Sequence, residues 1–283
     1  MDYQIRAESG RQLLARLSSR PSLKGLDERL LGPDGPAPQD VIEIVGENSV
    51  GKSVLALQWV ARAILSPPRG GLGVEILLID ADHHQPLFML IQYLQARMKS
   101  FVAQTPGLKL NSSLIETSIK DALKRLTIIN VYDSTSLYTA LLALDTILVS
   151  KPQISMVVVD SLPAFYWADR LSGGLQHMDS YLRQMLSALQ KSTRAHKVTV
   201  AFTRPSYFQS AAPSRFRSKD DSGASTVFIN LNRFEDEASE NNTSGKQPVQ
   251  GMKLTNLYCA TVRTPQGLRV HRYHFTKDGI VWL

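Results

Sequence analysis

The hydrophobic pattern divides the chain into two alternating kinds of segment. VIEIV (41–45), VEILLID (74–80), LTIINV (126–131), ISMVVVD (154–160) and KVTVAFT (197–203) are short, nearly continuous apolar runs. That is the pattern of strands buried on both faces. Between them, apolar residues recur every three or four positions. From Gly51 to Leu65 the stripe includes Leu55, Leu57, Val60 and Ile64, and from Pro86 to Ala103 it is Leu90, Ile91, Leu94, Met98 and Phe101. The same spacing predicts helices over 113–126, from Leu137 to Val149 and from Met178 to Gln190. Strands alternating with amphipathic helices predict an α/β fold, a mostly parallel sheet with helices on both faces.

After Thr203 the pattern changes, and KVTVAFT is expected to be the last buried strand. Residues 205–226 have no period. LYCATVRT (257–264) and LRVHRYHFT (268–276) alternate, and IVWL (280–283) follows an Asp278-Gly279 turn. These predict a C-terminal antiparallel extension whose last two strands form a hairpin. The acidic stretch 235–248 is expected to be a loop. Ahead of the first strand lie a short helix with Ser9 as N-cap and the Pro/Gly-rich LLGPDGPAPQD (30–40), too little for a separate domain. The expected organisation is an N-terminal arm and linker over 1–40, then one core over 41–283.

Composition narrows the setting. No apolar run in the 283 residues reaches the ~18 needed to span a membrane. The opening MDYQIRAESGRQLLARL lacks the apolar region of a secretion signal. Cys259 is the only cysteine, which points to a reducing compartment and a soluble intracellular protein. The glycosylation sequons at Asn111, Asn241 and Asn242 then read as chance matches. The net charge is +7, and its location is informative. Lys191, Arg194, Lys197, Arg204, Arg215, Arg217 and Lys219 fall in one stretch without a single acidic residue. Removing these seven leaves the rest of the chain balanced, 25 basic residues against 25 acidic. A concentrated excess of this kind is the footprint of a polyanion contact.

The chemistry begins at the end of the first strand. Gly46, Glu47, Asn48, Ser49, Val50, Gly51, Lys52 and Ser53 satisfy G-x-x-x-x-G-K-[ST]. Glycines let backbone N–H groups converge on a phosphate at a helix N-terminus, the lysine reaches the terminal phosphate oxygens, and the hydroxyl ligates Mg²⁺. ATP with Mg²⁺ is the cofactor this predicts. Asp160, at the end of ISMVVVD, is placed to hold the metal through its water shell. Asp82, in LLIDADHH, is the available carboxylate for orienting an attacking water. His83 and His84 lack a third ligand at metal spacing and are expected to be surface histidines. Phe165, Tyr166 and Trp167 are expected to pack. Tyr207, Phe208 and Phe216 differ, because they interleave with Arg204, Arg215, Arg217 and Lys219 in the unpatterned segment. Aromatics among cations suit single-stranded DNA.

This order of elements resembles the RecA-like P-loop NTPase core of the RecA-type recombinases. RAESGRQLLARL (6–17), RGGLGVEILLIDAD (69–82) and DSLPAFYWADR (160–170) resemble the short DNA-repair paralogues of that family. The likeness runs from about Arg6 to Arg204. It implies a nuclear protein of homologous recombination and double-strand break repair, held in a complex with the D-type recombinase paralogue and meeting single-stranded or branched DNA. It also exposes departures. Active relatives carry Glu where this chain has Asp82, and a Gln sensor where AFTRPS supplies Arg204 or Pro205. The self-assembly motif is reduced to Gln4-Ile5-Arg6-Ala7, without its aromatic anchor. Each change weakens hydrolysis or self-assembly and leaves ATP binding untouched. An ATP-binding accessory subunit is therefore expected, at most a weak DNA-dependent ATPase. A DNA-stimulated ATPase active on its own is the alternative; a small-molecule kinase lacks the arginine-rich lid it would need.

Overall fold

The apolar runs all become strands, though LTIIN, at the edge of the sheet, is only half-buried, in the computed structural model of the protein, which describes residues 9–10, 13–14, 19–83, 86–105, 111–173, 177–208, 226–234 and 257–283. A short helix α1 (Glu28–Leu31) precedes β1 (Val41–Gly46) and α2 (Lys52–Ile64). Then come β2 (Glu75–Asp80), α3 (Pro86–Gln104), α4 (Ser112–Leu123), β3 (Leu126–Asn130), α5 (Ser134–Ser150) and β4 (Ile154–Asp160). The chain continues through α6 (Tyr166–Leu171), α7 (Met178–Ala195), β5 (Thr199–Pro205) and β6 (Val227–Arg233). It closes with β7 (Tyr258–Thr264), β8 (Gly267–Thr276) and β9 (Gly279–Trp282). Helix α5 begins earlier than its apolar stripe because Asp133 caps it, accepting from the Ser136 N–H at 2.6 Å in a reciprocal capping box.

The strands form one sheet in the order β3-β2-β4-β5-β1-β6-β7-β8-β9. From β3 to β6 all neighbours are parallel; from β6 to β9 they are antiparallel. One expectation needs correction. KVTVAFT is not the last of the parallel strands, since β6 pairs in parallel with the other edge of β1. In VFINLNR only Val227, Ile229 and Leu231 are buried, and Phe228, Asn230 and Asn232 are half-exposed. A strand covered on one face alternates, so it lacks the continuous apolar signature of its neighbours.

Two apolar layers flank the sheet. Ile42 and Ile44 pack with Leu55, Val60 and Ile64 of α2 and Leu94 of α3. Val41, Val159 and Phe202 face the other way, onto Leu141 and Leu144 of α5 and Leu182 and Leu186 of α7. The segment before β1 packs on the first layer: Leu23, Leu26 and Leu30 are buried there, and Asp27 accepts from the Trp59 indole N–H at 2.8 Å. Arg20 fastens the same segment to the second layer. Its guanidinium donates to the carbonyls of Leu148 (3.0 Å), Lys151 (2.9 Å) and His196 (3.1 Å), around the C-terminal ends of α5 and α7. Those are carbonyls a helix end leaves unsatisfied.

Between β1 and β5 lies a buried ion pair. Arg204, 2% exposed, donates through Nε to Glu43 Oε1, and Glu43 is likewise buried. This corrects the expectation that Arg204 contacts DNA: its charge is spent inside the sheet. Removing one partner of such a pair leaves a bare buried charge, so Glu43→Gln should cost about 3–5 kcal/mol of unfolding free energy. The double change Glu43→Leu with Arg204→Met should recover most of that loss. Urea unfolding of the three chains measures both effects; a Glu43→Gln chain as stable as wild type would refute the pairing.

Candidate functional site

The loop that joins β1 to α2 stands at the carboxyl end of the central strands, where open parallel sheets place their ligands. Its shape depends on two glycines. A Cβ on Gly46 would collide with the carbonyl of Leu231 on β6 and with the Val50 side chain. Gly51 has φ +94°, and a Cβ there would lie 2.5 Å from the Phe275 ring. Val50 is fully buried and anchors the loop from beneath, while Glu47, Asn48 and Ser49 are exposed. Lys52 and Ser53 open the helix, whose first N–H groups point into the loop.

The C-terminal extension supports this loop, which the sequence did not suggest. The buried Tyr273 phenol donates to the Val50 carbonyl at 2.6 Å. Burial raises its pKa, so it stays protonated and remains a donor. Phe275 and Ile280 close over Gly51, and the Gln58 side chain of α2 accepts from the Ile280 N–H at 3.2 Å. The available signal was the alternation of LRVHRYHFT, which puts Tyr273 and Phe275 on one face.

The ionisable groups converge. Lys52 Nζ donates to the Glu47 carbonyl at 2.7 Å. Burial lowers its pKa, and the nearby Asp160 and Asp82 carboxylates oppose that fall. Asp160 is buried and its pKa is raised, chiefly by desolvation. Hydrogen bonds from the Thr203 and Ser53 hydroxyls work against the rise, and the charges of Asp82 and Asp80 add to it. Asp82 is only half-buried and accepts from the Ser161 hydroxyl at 3.3 Å. The backbone explains the proximity: the N–H groups of Ala81 (2.8 Å) and Asp82 (3.2 Å) both donate to the Asp160 carbonyl, joining the end of β2 to that of β4. Asp80 is buried, accepts from the His83 N–H at 3.0 Å, and lies 3.8 Å from His83 Nδ1. His83 stacks on Tyr132 with ring centres 4.5 Å apart. His84 lies outside the described residues.

These groups fit a magnesium nucleotide. Glycines at both tight points leave room for close backbone approach, a lysine sits under them, and the donors are hard oxygens. Ser53 would hold the metal directly and Asp160 through water. Mg²⁺ coordinated largely by phosphate and water asks for few protein ligands. When bound, it would supply charge neutralisation on the phosphates.

The residues expected to meet DNA divide. Phe208 is 2% exposed and packs edge-on against Tyr166, ring centres 5.2 Å apart. It is unavailable for base stacking, a second correction beside Arg204. Tyr207 is 53% exposed and accepts from the Trp167 indole N–H at 3.4 Å; Trp167 is itself 45% exposed rather than packed away. Arg215, Phe216, Arg217 and Lys219 lie outside the described residues. Lys191 and Arg194 end α7 and Lys197 follows, all three at the beginning of β5.

No protein-family model matches the chain. Among curated proteins, "DNA repair protein XRCC2" of Mus musculus is 34% identical over 212 residues, 74% of this chain and 72% of the relative. The "DNA repair protein XRCC2 homolog" of Arabidopsis thaliana is 25% identical over 247 residues, covering 73% of this chain and 64% of that protein. Among solved structures, a RadB recombinase superposes with a TM-score of 0.57 over 91% of this chain and 96% of its own, at 19% identity, a likeness of fold. The phosphate loop on a mostly parallel sheet with an antiparallel end is thus a recombinase-type fold, and the chain belongs to the XRCC2 family of DNA repair proteins.

Proposed function

We propose that the chain is an ATP-binding accessory subunit of a recombinase-paralogue complex acting in homologous recombination repair of DNA double-strand breaks. One observation carries the accessory role: a complete phosphate cradle stands beside an Arg204 that is turned inward onto Glu43. In active recombinases that stretch of the strand supplies a sensor linking the terminal phosphate to DNA. Here the position is committed to holding two strands together. Asp82 adds to the argument. An aspartate is one methylene shorter than a glutamate, and a displacement of about 1 Å can cost ~10²-fold in rate. The chain therefore grips ATP through Gly46–Ser53, with Mg²⁺ on Ser53 and Asp160, and turns it over slowly. The bound nucleotide serves assembly with the D-type paralogue in the nucleus. DNA contact, made within that complex, includes the exposed Tyr207 and the residues Arg215, Phe216, Arg217 and Lys219.

The deciding experiment measures nucleotide retention and turnover on the purified chain. Retained Mg-ATP with turnover well below the ~1–100 s⁻¹ of an active kinase supports the proposal. Brisk turnover that Asp82→Ala abolishes would establish instead an ATPase working alone. Asp82→Glu is expected to speed hydrolysis, and Lys52→Ala to lose both the nucleotide and the paralogue partner in co-purification.

Asp160 gives a second test. Its raised pKa means that the ionised carboxylate is disfavoured in the folded protein, so at neutral pH it lowers stability. Asp160→Asn should raise the melting temperature of the nucleotide-free chain and remove the stabilisation that Mg-ATP gives wild type. A lower melting temperature without ligand would contradict the electrostatic account. For DNA, Tyr207→Ala should weaken single-strand binding by the complex by about 1–3 kcal/mol, the value of one stacked base. Equal affinity in a fluorescence titration would remove Tyr207 from the interface.

A further inference from the structure

On the face of the sheet opposite α2, the helices α5, α6 and α7 line an open cavity of about 440 Å³. Nothing in the nucleotide or DNA chemistry uses it. Three tyrosines, Tyr138, Tyr166 and Tyr181, form its walls, with Met185. The volume lies within the ~300–1,000 Å³ of small-ligand pockets.

The polar groups in it are unusual. Asp169 is half-buried, accepts from the Ser134 hydroxyl at 2.8 Å, and has no ion-pair partner among the described residues. The neighbouring cation is engaged elsewhere. Arg170 directs Nη1 to the Tyr166 hydroxyl at 3.4 Å and lies over the Trp167 ring, 5.5 Å from its centre. Tyr181, only 4% exposed, has its buried hydroxyl beside the Asp169 carboxylate. An aromatic box holding a carboxylate that has hydroxyl neighbours and no cation among the described ion pairs is complementary to a cation.

The surroundings point to a protein as the source of that cation. Leu142, one helical turn beyond Tyr138, is 55% exposed, and Leu171, at the end of α6, is 87% exposed. Exposed apolar side chains beside a pocket extend recognition past a single small molecule. Between the two cationic side chains, a flat guanidinium stacks on tyrosine faces and offers a carboxylate two donors, which an ammonium does not.

We propose that the cavity between α5, α6 and α7 is a docking pocket for an arginine side chain presented by a partner protein, with Asp169 as its counter-charge and the Tyr181 hydroxyl as a further hydrogen-bonding group. The site does not depend on the nucleotide reading, and Lys52→Ala should leave it intact.

The test titrates the full chain with the peptide acetyl-Gly-Leu-Arg-Leu-Gly-amide, followed by NMR or calorimetry. A matched peptide carries citrulline, the neutral isostere, in place of arginine. The arginine peptide should bind in the millimolar range or better and the citrulline peptide at least about tenfold more weakly. Asp169→Asn should lose about tenfold as well, whereas Asp179→Asn, outside the pocket in the first turn of α7, should lose nothing. Tyr181→Phe keeps the ring and should bind the arginine peptide more weakly; wild-type affinity would remove the hydroxyl from the site. Equal binding of the two peptides, or no binding at about 10 mM, overturns the proposal without reliance on any variant.

Discussion

Strand β1 is enclosed on all sides. Helices cover both faces, β5 and β6 take both edges, and the phosphate loop grows from its end. Several polar groups near it that are kept from water have a partner inside the protein. Glu43 has Arg204, Asp160 has the Thr203 and Ser53 hydroxyls, and the Val50 carbonyl has the Tyr273 phenol. The loop's position follows from this closure. It is held from β5, from β6 and from the C-terminal hairpin at once.

The same enclosure sets the electrostatics of the site. Desolvation is the leading influence on both Lys52 and Asp160, and it disfavours the charged form of each. A cation and a carboxylate kept from water interact strongly with whatever enters between them. Mg²⁺ and a triphosphate would bring charges complementary to this pair.

Much of this was legible in the sequence. The continuous apolar runs gave the central strands, and the loop motif gave the site, because both signals are local. What stayed hidden was the outcome of pairing between distant segments. Arg204 counts as surface charge in any composition, yet it follows Val200 and Phe202 on the inward side of β5, as Glu43 sits between Val41 and Val45 on β1. Parity along the two strands held the clue; the partner did not. Strand β6 was missed because only alternate residues are buried. Tyr273 could be placed on the inner face of a hairpin, but which carbonyl it reaches is set by how the sheet curls back over α2.

The bond from Tyr273 to Val50 spans more than two hundred positions of chain. A messenger terminated anywhere between the codons for Ser53 and Tyr273 would still encode every residue of the nucleotide motif. Its product would nevertheless have lost the strut beneath that motif. Judged by its letters such a fragment is whole; judged by its architecture it has lost a wall.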